Sequence, residues 1–316
     1  LAADWPMWRC TPGRTAHTPE ELSPDLALQW TIQFPKPDSC WPSPQQHKLE
    51  FDLSYEPIVA DGLLFVPSMV RDCVTAHDAV TGEQRWCFFA DGPVRFAPAV
   101  ADGRLFFVSD DGYLYCLAVR TGELQWKLRG GPSGRRLLGN GRLISMWPAR
   151  GAPVVADGNV YFAAGIWPFM GIFVYAVSAE SGDVVWQNSG SGSDFILQPH
   201  SSPAFAGVAP QGHLAAVGDF LVVPGGRSVP AVFDRRTGKL LYYNINDKNG
   251  GYAVAVAGDC FLVDNAAYDL AGGSKIGGIP IGIVAAETVV GLDGKGVIKA
   301  HALSVKWREY EDAKGA

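Results

Sequence analysis

Residues 97–128 read APAVADGRLFFVSDDGYLYCLAVRTGELQWKL. Short apolar runs flank the pair Asp102-Gly103, which favours a two-residue β-hairpin turn because both residues tolerate positive φ. A second tight turn is expected at Thr121-Gly122, and the strand that follows it carries Trp126. The stretch therefore predicts a meander of four short antiparallel strands, whose first and third turns lie at the same end of the sheet.

This pattern recurs along the chain. Two clear copies and three weaker ones are found at residues 56–88, 152–186, 213–242, 252–275 and 281–307. A period of about 40 residues is typical of a β-propeller blade, and repetition at a regular spacing argues against the alternative of two β-sandwiches. We predict an all-β protein, namely a β-propeller built from four-stranded antiparallel blades.

The segment LALQWTIQ around Trp30 has the pattern of an isolated outer strand. We predict that it closes the ring by completing a blade whose other strands come last in the chain. The count of repeats leaves six, seven or eight blades open, and we expect seven or eight in the intact protein. The predicted organisation is an N-terminal segment with the closing strand at residues 1–54, followed by one propeller domain at residues 55–316.

Composition and charge exclude several kinds of partner. Charged residues make up 18% of the 316 residues and the net charge is −6, with no block rich in Lys or Arg, so nucleic acid is not an expected partner. The longest apolar stretch, residues 279–292, is too short to span a bilayer. The opening residues 1–4 resemble the remainder of a cleaved export signal, although a truncated chain would look the same. We expect an exported monomer of the periplasm or cell envelope.

Three hexapeptides carry a resemblance to a known family: TGEQRW at 81–86, TGELQW at 121–126 and SGDVVW at 181–186. Together with the Asp-Gly strands before them and the opening DWPMWR, they resemble the quinoprotein-like (PQQ-like) repeat family of β-propellers. In that family the hexapeptide docks one blade onto the next. The resemblance therefore implies an architecture and leaves the chemistry open.

The resemblance implies two functional classes. One class comprises dehydrogenases that hold pyrroloquinoline quinone (PQQ) and calcium in the central funnel. The other comprises scaffold propellers, such as the bacterial outer-membrane assembly lipoprotein, which bind proteins and no cofactor. The dehydrogenase class usually has an adjacent Cys-Cys pair beside the quinone, and the six cysteines of this chain include no such pair. We predict no cofactor and a non-catalytic scaffold; the alternative is a PQQ- and calcium-dependent dehydrogenase of an alcohol or sugar.

One face of the propeller is expected to carry long loops. The connections at 127–151 and 187–212 are long, and the middle hairpin of the third repeat has an insertion at 165–171. Because the middle hairpins and the connections between blades lie at the same end of a four-stranded blade, these insertions share one face. Elaborated loops on a rigid scaffold are common binding sites, so we predict that this face binds a protein or a small acidic ligand.

Three side chains occupy one repeat position on that face. Arg95, Arg150 and His200 each precede a proline by three residues, where the chain enters an innermost strand. They are predicted to ring the mouth of the central channel and to bind an anionic ligand, since guanidinium groups pair with carboxylates. Trp147 and Trp167 would add a stacking surface. The alternative is that each arginine pairs with an acid of the next blade or caps a loop carbonyl. No metal ligand and no catalytic residue is assigned.

Overall fold

The computed structural model describes residues 4–21, 23–41, 50–139, 141–192, 194–197, 201–292 and 295–303. Its regular elements are β-strands, apart from a short 3-10 helix at Pro168–Met170. The strands form a series of small antiparallel sheets in chain order, and this confirms the all-β propeller predicted from the repeats.

The first three blades contain four strands each. Blade 1 is β1 to β4, blade 2 is β5 to β8, and blade 3 is β11 to β14. Their bounds, in the same order, are Ile58–Ala60, Leu63–Ser68, Cys73–Asp78, Gln84–Phe89; Ala99–Ala101, Arg104–Val108, Tyr113–Ala118, Leu124–Arg129; and Gly151–Ala156, Asn159–Ala164, Phe173–Ser178, Val184–Asn188.

Three more blades follow. Blade 4 is β18 to β21, blade 5 is β22 to β25, and blade 6 has the three described strands β26 to β28. Their bounds are Ala215–Val217, Phe220–Val223, Ala231–Asp234, Leu240–Tyr242; Val254–Ala257, Cys260–Val263, Ala266–Asp269, Lys275–Gly277; and Ile283–Ala285, Thr288–Leu292, Ile298–Ala302. The predicted outer strand ending at Trp307 lies outside the described residues.

Two hairpins are inserted between blades. The strands β9 and β10, at Arg136–Gly139 and Arg142–Ser145, form a hairpin in the connection between blades 2 and 3. The strands β15 and β16, at Asp194–Leu197 and Pro203–Ala206, form a second one between blades 3 and 4. The short strand β17, Gly212–His213, then pairs in parallel with the inner strand of blade 3. The long connections predicted from the sequence are therefore folded structures on one face.

The hairpin turns have the backbone that their sequence requires. At Asp61-Gly62 the φ angles are 52° and 75°, and at Asp102-Gly103 they are 48° and 70°. Both central residues thus have positive φ, as in a type I′ turn, whose twist matches that of the flanking strands.

Blades dock through a tryptophan on a glycine. The ring of Trp86 in blade 1 lies on Gly122 in the second tight turn of blade 2, and Trp126 of blade 2 lies on Gly182 of blade 3 in the same way. The indole nitrogen of Trp86 donates a hydrogen bond to the carbonyl of Val119, 2.9 Å away. The series continues with Trp186 on Gly238, and then with Tyr242 on Gly273.

The N-terminal segment begins this series. Trp30 lies on Gly82 of blade 1, and its indole nitrogen donates to the carbonyl of Ala79. It thus takes the position of the tryptophan of a preceding blade, as expected for the closing segment. One detail differs from the prediction, because residues 25–34 form no β-strand in the structure.

Residues 5–15, the axial segment, lie along the inner strands. In five blades the next-to-last residue of the inner strand donates its amide to a carbonyl of this segment. The pairs are Val59 to Trp5, Val100 to Pro6, Ala216 to Pro12, Val256 to Gly13 and Val284 to Thr15, at 2.7–3.1 Å. Without these acceptors, the channel-side amides of the inner strands would be buried without a partner.

The side chain of Arg14 connects the axial segment to blade 3, which the backbone hydrogen bonds above do not include. Its guanidinium is fully buried and donates to three carbonyls: Trp8 at 2.9 Å, Pro153 of blade 3 at 2.9 Å and Leu214 at 2.7 Å. Burial lowers the pKa of Arg14 to about 9, so the side chain is charged at neutral pH. The axial segment therefore joins all six blades that the structure describes, at the end of the channel where the Asp-Gly turns lie.

Two glycine substitutions test the docking contact. The φ angles of Gly122 and Gly103 are 71° and 70°, but a Cβ on Gly122 would meet the Trp86 ring at 2.6 Å, whereas a Cβ on Gly103 would meet nothing within 4 Å. We expect Gly103→Ala to lower the free energy of unfolding by about 1 kcal/mol through backbone strain alone. Gly122→Ala should lower it by about 3 kcal/mol, since the indole must also move. Urea denaturation measures both, and equal losses would contradict the docking role.

Candidate functional site

The site is built where chain segments meet at the mouth of the channel. Arg95 lies just before the inner strand of blade 2, and Arg150 just before that of blade 3. Asp110 follows the second strand of blade 2, in its middle hairpin. Connections between blades and middle hairpins lie at the same end of the blades, so the fold brings these three side chains together.

Asp110 is shared by both arginines. Its carboxylate lies 2.7 Å from Nε of Arg95, and 2.8 Å and 3.0 Å from Nε and Nη2 of Arg150. All three side chains are buried. The second carboxylate of the cluster belongs to Asp52, whose Oδ2 lies 2.5 Å from Nη1 of Arg95. Two cations and two anions thus form a closed, neutral group.

A segment of the N-terminal region covers this group. We call residues 38–41 and 50–52 the strap. The strap carbonyl of Asp38 accepts a bond of 2.9 Å from Arg95, and Phe51 stacks on Phe96 with ring centres 4.7 Å apart. The ring of Trp41 lies 5.7 Å from the guanidinium carbon of Arg150. The strap is therefore held by hydrogen bonds and ion pairs, by aromatic stacking and by a cation–π contact.

The ion cluster sets the charge of its members. Burial alone would raise the pKa of Asp110, but the charges and hydrogen bonds of Arg150 and Arg95 outweigh it and lower the pKa to about 2. Burial would likewise lower the pKa of Arg95, whereas the charges of Asp110 and Asp52 raise it. Asp110 and both arginines are consequently ionised at neutral pH.

The structure places the sequence-predicted residues in different surroundings. Arg95 and Arg150 come together at the mouth and pair with acids, but Asp110 belongs to blade 2 and Asp52 to the strap, so neither acid lies in the next blade as the alternative expected. The cap on a loop carbonyl is found at Arg95, which donates to the carbonyl of Asp38. That the two arginines bind an external anion stays a prediction. Trp147 is buried, with its indole nitrogen 2.7 Å from the carbonyl of Met170, and Trp167 is 42% exposed. His200 lies outside the described residues.

An exposed apolar surface lies beside the mouth, on the same face. Trp167 meets Trp41 edge to face with ring centres 6.1 Å apart, and neighbouring Phe169, in the 3-10 helix, is 60% exposed. Strand β16 packs against this helix. Its hairpin exposes further large apolar side chains, namely Phe195, Leu197 and Phe205. We call these five residues, including Trp167 and Phe169, the aromatic face.

Sequence reasoning missed the acidic partners of the arginines. Asp110 lies in an Asp-Asp-Gly stretch that is typical of a hairpin turn, and Asp52 belongs to no motif. Sequence reasoning also missed His213, which is buried, stacks on Trp8 at 3.9 Å and lies 3.0 Å from a carboxylate oxygen of Glu56. The signal that the sequence does offer is that Arg95 and Arg150 occupy the same repeat position, which places two cations together and requires acids nearby.

Comparisons with known proteins agree with this fold. A family model described as "Outer membrane protein assembly factor BamB" matches residues 24–147. The dehydrogenase subunits of quinone alcohol dehydrogenases from Gluconacetobacter polyoxogenes and Komagataeibacter europaeus are each 31% identical over 146 residues, which is 42% of this chain and 19% of theirs. The chain thus spans about a fifth of the length of these curated relatives.

Solved structures show the same architecture. A europium-containing methanol dehydrogenase has a TM-score of 0.60 at 17% identity, over 88% of this chain and 58% of its own. A quinohemoprotein alcohol dehydrogenase from Comamonas testosteroni has 0.59 at 18%, over 95% and 52%. The fold is that of a β-propeller with docked antiparallel blades. Over the residues that the family model matches, the repeats of this chain resemble those of the PQQ-like β-propellers.

The residues at the mouth of the channel are already paired with one another, which bears on whether a quinone cofactor could bind there. The carboxylates of the quinone need cationic partners, but both buried arginines already pair with Asp52 and Asp110. Calcium needs several oxygen ligands, and within the described ranges no group of three or more His, Cys, Asp or Glu side chains is arranged to hold a metal ion. As they are arranged, these residues do not fit the quinone and its metal.

The pH dependence of stability reports on the ion cluster. The pKa of Asp110 is lowered from 3.8 to about 2 in the folded protein, so its stabilising effect is complete above pH 4 and is lost as the pH falls toward 2. We expect this loss to be about 2 kcal/mol in the native protein and to be missing in Asp110→Asn. Urea denaturation at a series of acidic pH values measures it.

Asp78 provides the matched control for that experiment. Its pKa is also lowered to about 2, by the hydrogen bond from Arg85, but the group lies at the surface. The effect of Asp78→Asn should therefore be small and should vanish in high salt, whereas that of Asp110→Asn should persist. Equal sensitivity to salt at both positions would contradict a buried cluster.

Among the described residues, no helix is long and apolar enough to cross a membrane.

Proposed function

We propose that this protein is an exported, monomeric, non-catalytic propeller that binds a protein or an acidic ligand on its loop-rich face. The observation that carries the proposal is the aromatic face, which gathers five exposed large apolar side chains beside a channel mouth closed by the strap. A cluster of exposed apolar side chains marks an interaction site, because a partner that covers the cluster removes its apolar surface from water.

The position of the aromatic face supports this role. It is carried by an insertion within blade 3 and by the hairpin β15–β16 beyond it, neither of which the propeller needs for its own sheets. Aromatic residues are enriched at the energetic centres of protein interfaces. Trp167 is backed by Trp41, whose indole nitrogen is fixed by Gln211 at 3.1 Å, so the surface is held in place before any partner arrives.

A photo-crosslinking amino acid at position 169 or 205 tests the proposal in cells that make the protein. We expect both positions to trap the same partner, since they lie on one surface. Val80 is the control, because it is 63% exposed but lies in the turn before Gly82, at the opposite end of blade 1. The proposal fails if position 80 traps the same partner as efficiently as position 169.

Affinity for the trapped partner then tests individual side chains. Trp167→Ala and Phe169→Ser should each weaken binding by about tenfold or more, which is the usual effect at an aromatic interface residue. Val80→Ser should leave the affinity unchanged. Unchanged affinity in all three variants would show that another surface binds.

A second candidate function is a PQQ- and calcium-dependent dehydrogenase of an alcohol or sugar. The observation that favours it is the 31% identity to dehydrogenase subunits over 146 residues. It requires that Asp52 of the strap and Asp110 of blade 2 give way to the quinone, because Arg95 and Arg150, the buried cations described at the mouth, otherwise pair with these two acids.

Titration with pyrroloquinoline quinone, with and without calcium, separates the two candidates. Quenching of tryptophan fluorescence reports binding, since Trp41, Trp147 and Trp167 all lie at or beside the mouth. The scaffold proposal predicts no saturable quenching at micromolar quinone. Saturable, calcium-dependent quenching that Arg95→Ala abolishes would favour the dehydrogenase.

A further inference from the structure

The carboxylate of Asp52 occupies a pocket made by other parts of the chain. Its Oδ2 lies 2.5 Å from Nη1 of Arg95 and accepts a bond of 2.8 Å from the amide of Cys40. Its Oδ1 accepts a bond of 2.9 Å from the hydroxyl of Ser39. Asp52 and Arg95 are both buried, so bulk water does not compete for these hydrogen bonds.

The pocket needs a negative charge. Asp110 is divided between two arginines, and it can neutralise only one of them. Without Asp52, the cluster would keep one uncompensated buried cation and would leave the Cys40 amide facing an empty volume. An unpaired buried charge is strongly destabilising, and so is a buried donor without an acceptor.

We propose that Arg95, the Cys40 amide and the Ser39 hydroxyl form a carboxylate-binding site that the chain itself occupies with Asp52. The three donors converge on one carboxylate from a side chain, the backbone and a hydroxyl, which is how proteins bind a carboxylate ligand. An acidic ligand therefore reaches Arg95 only by displacing Asp52 from the strap. This inference concerns the mouth alone and does not depend on the proposed function.

The stacking around the pocket limits the size of the ligand. Next to Asp52 in the chain, Phe51 stacks on Phe96, and the ring of Trp41 in the same strap lies 5.7 Å from the guanidinium carbon of Arg150. Removal of the Asp52 side chain alone leaves these contacts in place. The volume released is that of a carboxymethyl group, so the class of ligand that fits is a small monocarboxylate such as formate or acetate.

Rescue of an Asp52→Gly variant tests the site. We expect the variant to unfold at a lower temperature than the native protein and formate to raise that temperature saturably, by about 5 °C. Sodium chloride at the same ionic strength should have a smaller, unsaturable effect, because chloride is not a bidentate acceptor. Acetate should act at similar or higher concentrations than formate.

Asp72→Gly is the matched control. Asp72 also pairs with an arginine at 2.5 Å, namely Arg142, but both side chains are partly exposed. Its φ of 57° suits glycine, so the substitution adds no backbone strain. We expect formate and chloride to act equally on this variant, since water already solvates its arginine.

Two outcomes would overturn the inference. One is that formate stabilises Asp52→Gly no more than chloride does; the other is that it stabilises Asp72→Gly equally well. If Asp52→Gly does not fold in chloride, its refolding yield in formate is compared with that in chloride. A higher yield in formate supports the site, and equal yields contradict it.

Discussion

The inner strand of a propeller blade turns one edge toward the channel. In blade 3 the short strand β17 pairs with part of this edge, and in the other described blades the axial segment supplies acceptors for it. Amides of five blades donate hydrogen bonds to carbonyls of this segment, namely those of Trp5, Pro6, Pro12, Gly13 and Thr15. The remaining described blade, blade 3, is bonded by the side chain of Arg14. Buried backbone amides must be paired. The blades can therefore pack around a narrow channel only if a chain segment fills the channel and offers carbonyl groups to the inner strands. The position of each blade follows from this arrangement, since a blade is fixed both to its neighbour and to the axial segment.

The other end of the channel is closed by charge instead of by backbone pairing. Arg95 and Arg150 enter their inner strands at the mouth, where burial would make a lone cation very costly. Asp110 and Asp52 remove that cost, and Asp52 brings the strap with it. The mouth is thereby sealed by residues of the chain, and the surface that remains available is the aromatic face on the loops outside it.

The parts predicted from the sequence are those that depend on near neighbours in the chain. Asp102-Gly103 and its repeats fix their own turns through backbone preference, and the tryptophans mark outer strands at a constant distance from the second turn. Loop length alone located the inserted hairpins. The axial segment escaped prediction because carbonyl groups accept hydrogen bonds whatever residue carries them. The pairing of Arg95 escaped because Asp52 is 43 residues away and belongs to no repeat.

In this molecule, sequence similarity to other propellers does not indicate function, and the reason is physical. The tryptophan that lies on the next blade's glycine is needed by every propeller that docks its blades in this way, whatever chemistry the propeller performs. Likeness carried by Trp86, Trp126 and Trp186 therefore reports on architecture. In the function that we propose, the groups that decide what binds lie outside the blade sheets, where Asp52 of the strap fills the arginine pocket and insertions build the aromatic face. On this proposal, changes in those loops and in the strap would alter what binds, while the docked blades and the axial segment keep the architecture.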